Sequence, residues 1–467
     1  MELRKMSVRQ AAEAVCSGET TARHLIEQTL KNCSVLNEGL NIFTQIAGVD
    51  AIEQAKAVDR LVENGKKPPL AGVPFAIKDD ICYGVLPTSF GSEAFKEFMS
   101  PHTATVVERL MDAGAIAVGK TNLDDMSLGS TTTSSPYGPS VSPWGTGLAA
   151  GSAGAAAVAS GVSMFALESD SGGALRQGAS HCGVAGLRPT PGRISRSGLN
   201  LFAPSFGQVG ITAFSSENVK QVLALIEGFD KRDAATAAWL NELTGHSKAL
   251  DLENITIGYP LSVFDHLEPA LREMFERLRN EYLALGFTIR DLEMGMLREA
   301  LRAYYIISAA EASSNHARFD GIRFGKAPQT ESLDDLYFKS RGNILGKEAR
   351  RRSIFGTLLL SEGNYDRYYR QALKVWQLVK KEFNAALSDC DLLLLPAVKK
   401  LPRSLQGEKS FLEEWEEDLF CAPVSLAGLP SLCLPAGQLE ELPVGAQLVG
   451  PPFSEETLLD VGARVAR

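Results

Sequence analysis

Residues 145–189 read GTGLAAGSAGAAAVASGVSMFALESDSGGALRQGASHCGVAGLRP, and almost every side chain in the run is small. AGAAAVASG reads as a tightly packed core helix, because small residues let backbones approach closely, and SMFALES reads as the strand that follows it. An Asp170-Ser171-Gly172-Gly173 turn comes next, with Arg176 and Gln177 beyond it. Packing alone accounts for such a stretch. The other reading is a glycine-rich loop whose backbone amides face a ligand and hold an oxyanion. It is neither of the common phosphate loops. There is no GxxxxGK[ST], no GxGxxG opening a helix after a strand, and no GxSxG elbow.

Outward from this segment the chain alternates helix and strand. Residues 6–33 read as two helices, the first ending at Gly18 and the second starting after Thr20 and Thr21. A third spans 50–64 with Ile52, Ala55, Ala57 and Leu61 turned inward. PPLAGVPFAIKDDI reads as a strand running into a loop, with Lys78 at its end. Residues 102–122 give a helix and then a short buried strand. Residues 228–330 carry more charge and more helix signal, and 331–388 read as long helices. DLLLLPAV at 391–398 is an apolar strand, and APVSLAGLPSLCLPAG at 422–437 is a second small-residue segment. The expectation is one α/β domain over 1–467 with a helical insertion near 295–385.

The composition is that of a globular chain: 467 residues, 45% hydrophobic, 22% charged. Acidic residues outnumber basic ones, 56 to 47, for a formal charge of -9. That balance argues against a general nucleic-acid or membrane-surface binder. Seven scattered cysteines with no CxxC argue against a disulfide framework and a thiolate zinc site, and point to a reducing compartment. Six histidines without HxxxH or HExxH spacing argue against a histidine metal site. The start, MELRKMSVRQAAEAV, lacks the apolar core of a signal peptide, and no apolar run is long enough to span a membrane. A cytoplasmic protein without cofactor is expected.

AIKDD with Lys78, the run 148–161, and SDSGGALRQ at 169–177 resemble the amidase signature family. AVGKTNLDDMSLGSTTTSSPYGP, VAGLRPTPGRISRSGL, GKEARRRSIFGTLLLSEGNYDRYY and LPVGAQLVGPPF extend the likeness over nearly the whole chain. It is strongest to the A subunits of tRNA-dependent amidotransferases. The resemblance implies a mixed, mostly parallel central sheet covered by helices on both sides. It also implies a Ser–cis-Ser–Lys triad, in which a neutral lysine takes a proton through a bridging serine and a second serine attacks an amide.

Carried over residue by residue, the lysine falls on Lys78. The bridging serine falls on Ala150, or on Ser152 if the alignment slides by two residues. The nucleophile follows Gly172–Gly173 and falls on Ala174. On the first alignment, two of three triad members are alanine. Losing a serine nucleophile costs a serine protease about 10⁶-fold in rate. Ser152, Ser169 and Ser171 are nearby hydroxyls, although such groups in tight turns usually satisfy the backbone. His181 and Cys182 suggest a base and a nucleophile, but adjacent residues rarely face one another. The oxyanion turn is Ser171–Gly172–Gly173.

The substrate end is better preserved. The resemblance places Asp418 at a ligand ammonium, Arg351 or Arg352 at its carboxylate, and Tyr304 or Tyr305 beside them. One Asp and one Arg suit an α-amino acid. The bland alternative is a surface arginine run and a solvated acidic patch, EEWEED at 413–418. The expected role is a catalytically silent structural, regulatory or ligand-binding subunit with B- and C-subunit-like partners. The alternatives are an active glutamine amidohydrolase subunit or amidase with a different nucleophile, and a stand-alone sensor of small amides. Any tRNA contact is expected to belong to a partner.

Overall fold

The computed structural model describes residues 3–237, 254–323, 327–407 and 410–465. Eleven strands form one mixed sheet: β1 (Phe43–Ile46), β2 (Pro74–Lys78), β3 (Ile116–Thr121), β4 (Phe165–Asp170), β5 (Ala185–Arg188), β6 (Gln208–Ala213), β7 (Thr256–Pro260), β8 (Thr288–Leu292), β9 (Leu392–Pro396), β10 (Ser431–Leu439) and β11 (Leu442–Val449). Their order is β1-β3-β2-β4-β6-β5-β10-β11-β9-β7-β8. The parallel pairs lie toward the two edges, β2 with β3 and β4, and β7 with β8 and β9. Antiparallel pairs join them through the middle, from β4 through β6, β5, β10 and β11 to β9, and β1 lies antiparallel on the outer side of β3. The β10–β11 hairpin turns at Glu440 and Glu441, both at positive φ, the conformation that a two-residue connection demands.

The opening segment folds as its small residues dictate. Helix Ala153–Ala159 is buried along its whole length and packs on β4 and on helix Ala174–Cys182. β2, β3 and β4 are buried on both faces; each opens on an apolar run and carries its polar residues, Lys78, Lys120 and Glu168–Asp170, toward its C-terminal end. Between β8 and β9 the described residues form helices: Leu297–His316, Leu333–Ile344, Lys347–Leu360 and Arg370–Ser388, with a π-helical turn at Tyr365–Tyr369. Part of the charged stretch at 228–330, residues 238–253 and 324–326, lies outside the described residues.

The third helix runs over Gly48–Glu63, and its inward set needs correction. Ala51, Ala55 and Val58 are buried, Ile52 is half-buried, and Ala57 and Leu61 face solvent. The buried set is spaced four and three apart, a narrower stripe than the expected one, matching a helix laid against its neighbour Ala22–Leu40.

Candidate amide-binding site

Parallel pairing of β2 and β4 brings the end of one strand beside the end of the other. Lys78 Nζ therefore meets Ser169, donating to its Oγ at 2.8 Å and lying 3.4 Å from its carbonyl oxygen. Asp80 completes the group: its Oδ2 is 3.6 Å from Lys78 Nζ and accepts from Ser169 Oγ at 2.5 Å and Ser127 Oγ at 2.8 Å. Asp80 Oδ1 is buried with no hydrogen-bond partner among the described residues. Asp80 and Ser127 were not expected from the sequence. The second aspartate of AIKDD was the available signal.

Beyond β4 the chain turns through Ser171, Gly172 and Gly173 into helix Ala174–Cys182. Both glycines are required. A Cβ on Gly172 would stand 2.6 Å from Tyr304 Oη, and Gly173 has φ +126° with Cys421 Cβ 2.2 Å from where its own would be. The turn is anchored from below. Arg176 donates to Asp170 at 3.0 and 3.1 Å, and Arg188 reaches the same carboxylate. Burial opposes the Asp170 charge, but the two guanidiniums outweigh it and hold the carboxyl below its usual range.

One cavity of about 580 Å³ collects the residues carried over from the resemblance, Ala150 and Gly173 excepted. Lys78, Ser169, Ser171, Gly172 and Ala174 line one part. Tyr304, Tyr305, Arg351, Arg352 and Asp418 line another, with Phe411 and Trp415 beside them. The arginine run is thus not merely a surface feature. Arg352 is 4% exposed and Asp418 8%, while Glu413 of the same acidic patch faces solvent and Glu414 is half-buried. Asp418 accepts from Gln177 Nε2 and Tyr305 Oη, both at 2.7 Å. Burial pushes its carboxyl up to about 6, against the pull of these two donors and of Arg352. Trp415 stacks on Tyr305, ring centres 4.1 Å apart, and the guanidinium of Arg352 lies over both rings. Trp415 and Glu348 were not singled out in the sequence.

Other candidates lie elsewhere. Ala150 does not line the cavity; it is fully buried, its N–H on Ser140 O and its carbonyl accepting from Cys182 Sγ at 3.3 Å. Ser152 caps helix Ala153–Ala159, accepting from Gly154 N and Ala155 N and donating to Glu168. His181 and Cys182 do not work as a pair: burial pushes the thiol well above its usual range, and the imidazole opens on a separate small recess beside Lys400. Among the described residues there is no metal-binding cluster, and no helix is long and apolar enough to cross a membrane.

The profile of the family described as Amidase matches residues 24–459. The chain belongs to the amidase signature family. It is 38% identical to the A subunit of the glutamyl-tRNA(Gln) amidotransferase of Nitrosococcus oceani, over 98% of this chain and 96% of that one. It is 40% identical to the corresponding protein of Methanosarcina mazei, over 97% and 94%. The crystal structure of the Thermotoga maritima A subunit superposes with a TM-score of 0.80 at 28% identity, covering 100% of this chain and 94% of that one. A structure described as a vestigial protein complex revealing the origins of an s-triazine catabolic enzyme gives 0.83, also at 28% identity, covering 98% of each. Amidase signature enzymes thus share both the sheet and its helical layers with this chain.

Proposed function

We propose that this amidotransferase A-subunit-like protein binds an amino acid or small amide and does not hydrolyse it by the family's serine route. The observation that carries this reading is Ala174. It is the first residue of its helix and lines the cavity beside Ser171 and Gly172, where the resemblance puts the nucleophile. A methyl group there has no lone pair to attack a carbonyl. Lys78 fits the same reading, because its Nζ is held by Ser169 Oγ and faces the Asp80 carboxylate, and residue 174 offers it no hydroxyl.

The binding half favours a ligand. Asp418 offers a carboxylate to an ammonium, and Arg351 and Arg352, which line the same cavity, offer N–H donors to a carbonyl or carboxylate oxygen. Two charge-assisted contacts contribute about 3–6 kcal/mol gross. Desolvation and ordering offset part of that, so the expected affinity is micromolar to millimolar. B- and C-subunit-like partners follow from the kinship with the amidotransferase A subunits, and a reducing, cytoplasmic setting from the seven free cysteines.

One observation favours a second reading, an active glutaminase or amidase. Ser169 lines the cavity with its Oγ 2.8 Å from Lys78 Nζ, the pairing of a hydroxyl nucleophile and a base. Ammonia release from glutamine, with and without partner proteins, and fluorophosphonate labelling separate the two. The proposal expects neither signal; labelling at Ser169 or Ser171 with ammonia release establishes the second reading. A response that requires partners points to a component of an assembly, and one without them to a sensor.

A further inference from the structure

Glu348 stands between the two arginines of the cavity. Its Oε1 accepts from Arg352 Nε at 2.7 Å, and its Oε2 accepts from Arg351 Nη1. Both contacts are built into helix Lys347–Leu360, where positions three and four apart share a face. The guanidiniums are also seated on rings, Arg351 4.7 Å from the centre of Phe411 and Arg352 4.5 Å from that of Tyr305. Arg352 Nη1 lies 3.3 Å from Ser308 Oγ. These arginines are therefore not open cations awaiting a ligand. A carboxylate of the chain itself, lining the cavity, already bridges them, and bridging is what a ligand carboxylate would do there.

Asp418 is in the opposite condition. Its hydrogen-bond partners are an amide and a phenol, and among the described residues no cation forms an ion pair with it. The cavity thus offers a cation the Asp418 carboxylate, and offers an anion only arginines that a carboxylate already bridges.

We infer that Glu348 sets the selectivity of the cavity as an internal competitor for the ligand's carboxylate, favouring ammonium ligands whose carboxyl is amidated, esterified or absent over free amino acids. The inference rests on the reading of the cavity as an amino-acid or amide site. A free carboxylate entering here meets a like charge in a desolvated place. It must displace Glu348 from two charge-assisted hydrogen bonds or accept the remaining N–H groups beside it. A ligand without that carboxylate displaces nothing. Glu348→Gln removes the charge while keeping the shape and one acceptor oxygen.

The test is calorimetry on the full chain at pH 7 with glutamine and glutaminamide, which differ in the α-carboxylate alone. Wild type binds glutaminamide at least as tightly as glutamine. In Glu348→Gln, glutamine tightens about tenfold and glutaminamide changes less than about threefold. Wild type that binds glutamine about tenfold tighter than glutaminamide overturns the inference, and this arm needs no variant. Equal changes for both ligands, or weaker glutamine binding in the variant, also overturn it and make Glu348 a mere prop for the arginines. If neither ligand binds either protein, the amino-acid reading fails. The competition is then read from acetate protection of Arg351 and Arg352 against phenylglyoxal, mapped by mass spectrometry. Protection at lower acetate in the variant upholds the competition, and protection at the same concentration overturns it.

Discussion

Lys78 Nζ lies 3.6 Å from the Asp80 carboxylate, with Ser169 Oγ bridging between them. Both side chains are buried, and neither charge has another opposite charge within ion-pair distance among the described residues. Removing one partner strands the other. Asp80→Ala therefore costs about 3 kcal/mol in urea denaturation. Combining it with Lys78→Met recovers most of that loss. A cost below about 1 kcal/mol means that the pair contributes as weakly as an exposed one.

Gly178 and Ser152 form a second coupled pair. A Cβ on Gly178 would stand 2.2 Å from Ser152 Cβ, so the helix can approach the 150–152 segment only without a side chain there. Gly178→Ala is expected to cost about 2 kcal/mol by overpacking, read as a lower denaturation midpoint with an unchanged m-value. An unchanged midpoint means that the segment gives way freely.

Glu168 lies beneath the same segment, fully enclosed, accepting from Ser152 Oγ and from Thr212 Oγ1 at 2.6 Å. Burial lifts its carboxyl above the usual range, and the two hydroxyls recover only part of that. A raised folded value means that the folded protein keeps a proton the unfolded chain has lost. Stability from this group therefore falls as pH rises from the ordinary carboxyl range through the raised value. Glu168→Gln lacks this dependence. The Tm of wild type drops more between pH 5 and pH 8 than that of the variant; parallel curves contradict the assignment.

How much of this was legible depends on where each residue's partner lies. Lys78 at a strand end and the amide nest of Ser171–Gly172–Gly173 are each legible within their own segments, while their facing one another was implied by the resemblance. Asp418, the arginine pair and the tyrosine pair were reached through the resemblance, since nothing in EEWEED distinguishes a buried aspartate from its exposed neighbours. The structure separates them because helix Phe411–Glu416 ends just before Asp418 and turns it inward onto Tyr305. Asp80 was passed over because the direction of its side chain depends on how β2 ends against β4. Glu348 was within reach, its spacing to Arg351 and Arg352 being three and four. The third helix shows the limit of periodicity: Ala55 is common to the expected and observed stripes, but small apolar residues lie on both sides of it and blur the phase.

Asp418 also gives the cavity a pH dependence. Burial pushes its carboxyl up to about 6, and an ammonium ligand needs it ionised. Affinity is level above that value and falls about tenfold per pH unit well below it. Arg352, Tyr305 and Gln177 face the same carboxylate and hold no charge that changes in this window, while Glu417 acts on it as a like charge. Binding that is flat from pH 7 to pH 4.5 places the ammonium elsewhere.

The central claim, an amino-acid pocket retained where the serine route is absent, is tested most directly by calorimetric titration of glutamine and glutaminamide into wild type and Asp418→Ala. The account predicts micromolar to millimolar binding of at least one of them to wild type, with intact ligand recovered afterwards, and a loss of about tenfold or more in the variant. Equal affinity in the two proteins, or no binding to wild type up to tens of millimolar, contradicts it.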